Sequence, residues 1–215
     1  MIGSDFNWAP WGAFAEGVKS GGASFEAYHG RGLFEHLDTD ARAAAAYHDG
    51  IASFVRGEAQ AIAESFDFSR AKRVVDLGGG QGDLLAEVLG RWPHLEGLLV
   101  ERPFAAARAA ERFARSGLGD RAEAREGDLL ESIPEGFDVY VLKHVLHCLD
   151  DESARAVLAG CAARVPSDGA VLVIEGLRVP GGRLDQTGLL DLEMLMLFGR
   201  GRERSKPEMR RLFSA

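Results

Sequence analysis

The stretch VVDLGGGQGDLL, residues 74–85, joins a short apolar run to a glycine-rich turn that leads into a helical pattern. The run VVDL favours a buried strand, because short continuous runs of branched apolar residues are typical of strands covered on both faces. Asp76 stands near the end of that strand, and four glycines then fall within residues 78–82. This strand, turn and helix predict a ligand site beyond the carboxyl end of a parallel strand.

Outward from this unit, apolar runs alternate with helical stretches along the rest of the chain. The predicted strands are RVVDL, GLLVE, AEAREGD, FDVYVLK and AVLVIEGL, beginning at residues 73, 97, 122, 137 and 170. Helical stretches between consecutive strands serve as crossover connections, so the strands are expected to run parallel. The sequence therefore predicts an α/β fold: a doubly wound, mostly parallel sheet with helices on both faces.

The first third of the chain has a different pattern. Apolar residues such as Phe34 and Leu37 recur at helical spacing, and ARAAAAYHDGIASFVRGEAQAIAESF, residues 41–66, predicts one alanine-rich amphipathic helix. We therefore expect a helical lead-in over residues 1–67 and a single sheet domain over residues 68–215.

Composition excludes several classes of protein. Lys and Arg number 25 against 33 Asp and Glu, and the net charge of −8 is the wrong sign for a nucleic-acid surface. The cysteines, Cys148 and Cys161, are too few for a disulfide scaffold. No apolar run approaches the roughly 18 residues that span a bilayer. With no recognisable export signal, the sequence predicts a cytoplasmic protein without a membrane or nucleic-acid partner.

The glycine turn matches neither of two common phosphate-binding patterns. A dinucleotide-binding loop needs a glycine three residues after G-x-G, where this chain has Asp83 or Leu85, and a Walker loop needs G-K-[ST]. The observed pattern is an acid followed by alternate glycines, at positions Asp76, Gly78, Gly80 and Gly82. Missing Cβ atoms at such positions let a ligand approach the backbone closely.

Two further acids follow in the order that an adenosine would require. Glu101 closes the second predicted strand and can accept hydrogen bonds from both ribose hydroxyls. Asp128, in EGDLLES, lies where an adenine edge is expected, and Leu129 can pack on the ring. Each part alone also fits a structural turn or a solvated acid. Together they favour an adenosine ligand without a pyrophosphate.

Several stretches together resemble a known family, the S-adenosylmethionine-dependent O-methyltransferases of the plant caffeate and bacterial polyketide type. They are RVVDLGGGQGDLL, EGDLLESIP, DVYVLKHVLHCLDDE, VLVIEGL and DLEMLMLFGRGRERSKPE. WGAFAEGVKSGGASFEAYHGRGLFEHL is similar to the segment that joins that family's dimerisation and catalytic domains. The resemblance implies a Rossmann-like class I fold, S-adenosylmethionine as cofactor, and methylation of a phenolic or polyketide-like acceptor in secondary metabolism.

The resemblance also implies roles for individual residues. His147 matches the general base, Glu175 and Glu203 match acids that flank it, Lys143 matches a cofactor contact, and Met194 lies on a helix that lines the acceptor pocket. Without the resemblance, these would be an ordinary histidine, surface acids and a core methionine. His144 lies three residues before His147, but no carboxylate or cysteine in the sequence completes a ligand set with them, so we expect no metal and a structural His144.

The chain departs from the family pattern at three places. Cys148 and Leu149 follow the histidine where relatives carry Asp or Asn and then Trp, which affects the packing around the base. Family members also begin with a winged-helix dimerisation domain and end with two further strands. The resemblance therefore implies that this chain is truncated at both ends. A homodimer is one oligomeric state that such a chain could adopt. The alternatives are a homologue that uses the cofactor for hydroxylation or decarboxylation, and a non-catalytic binding protein.

Overall fold

The structure, a computed structural model, describes residues 4–54, 57–179, 181 and 185–214. Short helices fill the part that precedes the sheet, as the sequence predicts. They are α1 (Asp5–Trp11), α2 (Phe14–Ser20), α3 (Ser24–His29), α4 (Leu33–Thr39), α5 (Ala41–Phe54) and α6 (Glu58–Ser65). The helical lead-in is confirmed, whereas the division of the chain at residue 67 stays a prediction.

The single helix predicted over residues 41–66 is wrong, because the structure has two helices there. Helix α5 ends at Phe54 and α6 begins at Glu58, preceded by Gly57 with φ of 92°. A right-handed helix cannot pass through a residue with positive φ, and glycine adopts this conformation without a steric penalty. The alanine-rich pattern does not reveal the break, since alanine favours helix on both sides of it.

Five parallel strands form the sheet, in the order β3-β2-β1-β4-β5. They are β1 (Arg73–Leu77), β2 (Glu96–Glu101), β3 (Ala122–Glu126), β4 (Val139–Lys143) and β5 (Ala170–Ile174). The connecting and following helices are α7 (Asp83–Arg91), α8 (Pro103–Arg115), α9 (Asp151–Ala162), α10 (Gln186–Phe198) and α11 (Lys206–Phe213). The predicted doubly wound α/β fold is confirmed, although β5 ends three residues earlier than the pattern AVLVIEGL suggests.

The core lies on both faces of the sheet. Val74 packs with α7 and α8 on one face, while its neighbour Val75 packs with α9 and α11 on the other. This alternation follows from the two-residue side-chain period of a strand. A third cluster joins the lead-in helices to α10, and Phe25 within it is completely buried. The lead-in therefore packs against α10 through apolar contacts.

The order of the strands determines where the ligand site lies. The direction in which successive strands are added to the sheet reverses at β1, which pairs with β2 on one side and β4 on the other. A crevice forms at such a point beyond the carboxyl ends of the strands. In the part of the chain that the structure describes, no helix is long and apolar enough to cross a membrane.

Helix α9 begins with an aspartate cap that can be tested. Asp150 Oδ1 accepts a hydrogen bond of 2.8 Å from the backbone N–H of Ser153. Because this bond satisfies an otherwise unpaired donor of the first turn, Asp150→Ala is expected to lower the free energy of unfolding by about 1 kcal/mol. Urea unfolding followed by circular dichroism measures it. Asp168→Ala, at an exposed turn position, should change it by less than about 0.5 kcal/mol; equal losses in both variants would contradict the cap.

Candidate functional site

A cavity of about 690 Å³ lies at the carboxyl ends of β1, β2 and β4. Most of the residues predicted to bind a cofactor line it: Asp76, Gly78, Gly80, Glu101, Asp128, Leu129 and Lys143. Residues that are far apart in the sequence meet here because parallel strands end at the same edge of the sheet. The cavity is large enough for a small-molecule ligand.

The glycine turn forms one wall of the cavity. Gly78 and Gly80 have φ of 72° and 60°, in the left-handed region that favours glycine. A Cβ atom on Gly78 would lie 2.8 Å from Val145, whereas one on Gly80 would meet nothing within 4 Å. Gly82 differs, since a Cβ there would lie 2.8 Å from the ring of Phe113. Gly82 is not among the cavity-lining residues and permits close packing of α7 on α8.

Asp76 is a buried acid with unused hydrogen-bonding capacity. It is 1% exposed, and neither carboxylate oxygen has a partner among the described residues. Burial raises its pKa to about 7, against the opposing charge of Lys143. A buried carboxyl group without donors is costly, so its place beside the cavity suits a bound molecule or water that donates to it.

Glu101 joins the second strand to the glycine turn. Its Oε2 accepts from the backbone N–H of Gly80 at 3.0 Å, and its Oε1 accepts from that of Arg102 at 2.7 Å. Burial raises the pKa of Glu101, and these two hydrogen bonds act in the opposite direction. The carboxylate is thus held in one orientation at the edge of the cavity.

Asp128 lies at the end of the third strand and is connected to the lead-in. Its Oδ1 accepts from the backbone N–H of Leu130 at 2.8 Å, and its Oδ2 accepts from the guanidinium of Arg102 at 3.1 Å. Arg102 also pairs with Asp38 in α4. These side chains are partly exposed, so the ion pairs add little stability, but they set the position of Asp128.

His147 lies beside the two predicted acids, in the short 3₁₀ turn Leu146–Cys148 that follows β4. Its Nδ1 is 2.7 Å from Glu203 Oε1 and 3.7 Å from Glu175 Oε2. Burial by itself lowers the pKa of His147. Cys148 and the two carboxylates outweigh this effect and raise that pKa well above the ordinary value of 6.5.

The same contacts determine which ring nitrogen of His147 is free. In the neutral ring, a hydrogen on Nδ1 donated to Glu203 leaves Nε2 as the proton acceptor. Glu175 also accepts hydrogen bonds through Oε1 from the backbone N–H groups of Val145, at 3.1 Å, and Leu146, at 2.7 Å. The acid therefore fixes the backbone of the turn that carries the imidazole.

The model of the O-methyltransferase domain family matches residues 11–215. The chain belongs to this family. The resemblance inferred from the glycine turn and the strand ends is thereby confirmed.

Relatives of this O-methyltransferase domain act in antibiotic biosynthesis. This chain is 38% identical over 203 residues to the mitomycin biosynthesis 6-O-methyltransferase of Streptomyces lavendulae. The match covers 94% of this chain and 58% of that protein. It is 37% identical over 195 residues to the aclacinomycin 10-hydroxylase RdmB of Streptomyces purpurascens, covering 89% of this chain and 52% of that protein.

A solved structure of the O-methyltransferase NcsB1 from neocarzinostatin biosynthesis superposes with a TM-score of 0.87 at 33% identity. The superposition covers 97% of this chain and 62% of that one, which holds S-adenosyl-L-homocysteine and 1,4-dihydroxy-2-naphthoic acid. The O-methyltransferase domain described here thus spans 52% to 62% of the length of these three relatives.

Five predicted site residues lie outside the described cavity lining of the O-methyltransferase domain: Gly82, His147, Glu175, Glu203 and Met194. His147 is 8% exposed, and its neighbours Val145 and Cys148 form the wall on either side of it. Met194 is 4% exposed and packs in the cluster that joins α10 to the lead-in. Its contacts are those of a core residue.

The reasoning that excluded a metal needs a correction. The carboxylates closest to His147 in the sequence, Asp150 to Glu152, do not join the two histidines in this group, but the fold supplies Glu175, which follows β5, the neighbour of β4. Ligand atoms of these three residues all lie within 4.8 Å of one another. Separation along the chain concealed a proximity that the parallel pairing of the two strands creates.

Several residues that line the cavity are not indicated by the sequence, and some of them lie in the lead-in. Tyr47, His48 and Asp49 of α5 form part of the wall. Burial lowers the pKa of His48 to about 4, and its ring stacks on Phe104 at 5.7 Å. Gln81 donates to Asp49 Oδ1 at 3.0 Å. The helical pattern gives no sign of this role, because it does not indicate which helix face meets the sheet.

Proposed function

We propose that the chain binds S-adenosylmethionine and transfers its methyl group to a hydroxyl oxygen of a small aromatic acceptor, phenolic or polyketide-like. The observation that carries the proposal is the position of the His147, Glu175 and Glu203 group beside a cavity whose rim bears the glycine turn and three strand-end acids. The naphthoic acid and S-adenosyl-L-homocysteine held by NcsB1 support the same pairing of ligands.

The residues around the cavity fit an adenosine cofactor. Asp76 has unpartnered carboxylate oxygens, and Gly80 leaves open space where a side chain would stand. Glu101 would hold the ribose hydroxyls, while Asp128 and Leu129 would hold the adenine. When bound, the cofactor supplies an electrophilic methyl group on a sulfonium.

The residues beyond the adenosine end of the cavity activate the hydroxyl group of the acceptor. A phenol with a pKa near 10 is a weak nucleophile at neutral pH, so a base must remove its proton as the oxygen attacks. His147 Nε2 takes that proton, Glu203 holds the ring in the required tautomer, and Glu175 stabilises the imidazolium that results. Lys143, which lines the cavity at the end of β4, would contact the cofactor.

The raised pKa of His147 predicts the pH dependence of the reaction. Because the base must be neutral, kcat/KM is expected to rise with pH, with its midpoint well above 6.5. Glu203→Gln keeps an acceptor for Nδ1 but removes the charge that favours the imidazolium, so the midpoint should move to lower pH. Labelled-methyl transfer measured across pH gives both midpoints. Glu135→Gln, on the surface, is the matched control; an unchanged midpoint in Glu203→Gln would contradict this role of Glu203.

The experiment that tests the function combines binding with turnover. Calorimetric titration with S-adenosyl-L-homocysteine should give saturable binding, and at one hundred times Kd the ligand should stabilise the fold by about 2.7 kcal/mol. A labelled-methyl assay on a panel of phenols then measures transfer. Binding without transfer to any phenol would argue against methylation, and the absence of binding would support a non-catalytic chain.

A second function is favoured by one relative. The aclacinomycin 10-hydroxylase is nearly as similar to this chain as the mitomycin enzyme, at 37% against 38% identity. A hydroxylase would consume oxygen without losing the methyl group of the cofactor. Oxygen electrode measurements beside the labelled-methyl assay distinguish the two reactions. A cytoplasmic location, a homodimer and the lack of a nucleic-acid partner remain predictions from the sequence.

A further inference from the structure

His144, His147 and Glu175 form a compact group of metal-ligating side chains, called here the His–His–Glu cluster. Glu175 Oε2 lies 3.7 Å from His147 Nδ1 and 4.0 Å from His144 Nδ1. Both Glu175 Oε2 and His144 Nδ1 are buried without a hydrogen-bond partner in the described part of the chain. We propose that the cluster binds a transition-metal dication of the Zn²⁺ type.

The ligand set and its spacing suit zinc. Two imidazoles and one carboxylate form a common protein ligand set for Zn²⁺, which leaves a fourth position for another ligand. With metal–ligand distances of about 2.0–2.2 Å, tetrahedral ligand atoms lie about 3.4 Å apart. Two of the observed separations are 3.7 Å and 4.0 Å, and all three ligand atoms lie within 4.8 Å of one another. Tetrahedral spacing around a shared ion therefore requires the ligand atoms to approach one another by up to about 1.4 Å.

Surrounding groups already orient two of the ligands. His144 Nε2 is 3.0 Å from Glu58 Oε2, and a ligating histidine commonly donates its other ring N–H to a carboxylate in this way. The backbone of His144 has φ of 55°, an unfavourable value for a residue other than glycine, which the fold maintains. Glu175 has a side chain only 3% exposed, and its Oε1 is occupied by backbone N–H groups, so Oε2 is directed at the imidazoles.

The charges around the cluster also favour a cation. Two carboxylates, Glu175 and Glu203, are buried here against the imidazole of His147. Two positive charges lie nearby, and each is already paired. Lys143 Nζ is 3.2 Å from Glu58, and the buried Arg204, which donates to the carbonyls of Leu146 and Leu149, is 3.0 Å from Asp151. A dication would offset the two buried acids. Binding at His147 Nδ1 would replace the hydrogen bond to Glu203.

Metal binding and proton acceptance by His147 therefore exclude one another. A ring with metal on Nδ1 carries its hydrogen on Nε2, the nitrogen assigned above as the base. This consequence rests on the proposed function, whereas the metal site itself does not. A Zn²⁺ ion would inhibit methyl transfer without occupying the adenosine part of the cavity.

The test is direct metal binding by the chelator-treated, tag-free chain. Calorimetric titration with Zn²⁺ should show one ion per chain, and Co²⁺ at the same site should give the visible absorption of a tetrahedral complex. His144→Asn, which tolerates positive φ, and Glu175→Gln should each weaken Zn²⁺ binding at least about tenfold, since even loss of an outer partner has that effect. His94→Asn, at an exposed position, should bind as the original chain does.

Each other outcome would overturn the assignment. Absence of stoichiometric Zn²⁺ binding by the original chain excludes the site. Unchanged affinity in Glu175→Gln, or loss of binding in His94→Asn, places the ion elsewhere. Circular dichroism verifies that each variant is folded, and if His144→Asn fails to fold, Glu175→Gln decides. None of these measurements depends on methyl transfer, so they remain informative if the proposed function fails.

Discussion

Replacement of His147 by alanine is expected to lower kcat for methyl transfer by about 100- to 10,000-fold, the usual contribution of a positioned general base. The acceptor hydroxyl would then have to lose its proton to water. Glu203 and Glu175 cannot substitute, because both lie on the far side of the missing ring, at 2.7 Å and 3.7 Å from the Nδ1 edge. The loss should fall on kcat, since the proton is transferred only during the chemical step.

The measurement pairs labelled-methyl transfer with calorimetric titration by S-adenosyl-L-homocysteine. Cofactor affinity should stay within a few-fold in His147→Ala, because His147 is not among the described residues that line the cavity. His94→Ala, an exposed histidine, is the matched control and should retain full kcat. A His147→Ala variant that keeps kcat within tenfold of the original would refute the assignment of His147 as the base.

Replacement of Glu101 by alanine is expected to raise the Kd for S-adenosyl-L-homocysteine by about 10- to 100-fold. A hydrogen bond to a charged acceptor contributes about 1.5–3 kcal/mol, and the expected rise in Kd corresponds to the net loss of one such bond from the ribose. The backbone N–H of Gly80 would also lose its acceptor at 3.0 Å, which loosens the glycine turn. The effect should fall on binding, not on kcat at saturating cofactor.

Isothermal titration measures this change, and another strand-end acid provides the control. Glu126 closes β3 as Glu101 closes β2, but Glu126 is exposed and is not a cavity-lining residue. Glu126→Ala should leave Kd unchanged. If both variants bind with the original affinity, the ribose must lie elsewhere and the assigned orientation of the cofactor is wrong.

Much of the cavity could be predicted from the sequence because parallel strands constrain where their ends lie. The strands β1, β2 and β4 are recognisable as buried parallel strands joined by crossover connections. Their carboxyl ends therefore bring together Asp76, Glu101 and Lys143 at one edge of the sheet. The sequence order alone is sufficient for this step. The glycine turn is similarly predictable, since its left-handed residues exclude most other side chains.

Other features depend on tertiary packing that periodicity does not encode. Nothing in the pattern around Tyr47 and His48 indicates that α5 lies against the sheet edge, because an amphipathic pattern specifies a buried face but not its partner. The spatial relation between His144 and Glu175 depends on the pairing of β4 with β5, which lie 31 positions apart at Val139 and Ala170. Gly82, predicted to bind the cofactor, is not a described cavity-lining residue, and a Cβ there would lie 2.8 Å from the ring of Phe113.

The cavity has two walls of different origin, one from the sheet edge and one from α5. A small molecule that contacts both walls binds only while α5 lies against the sheet edge. Its binding free energy therefore stabilises that packed arrangement. Susceptibility of α5 to a protease should therefore decline as occupancy of the cavity rises, even though α5 precedes in the chain the strands whose ends line the cavity. Limited digestion with and without S-adenosyl-L-homocysteine would thus report occupancy of the crevice in the absence of turnover.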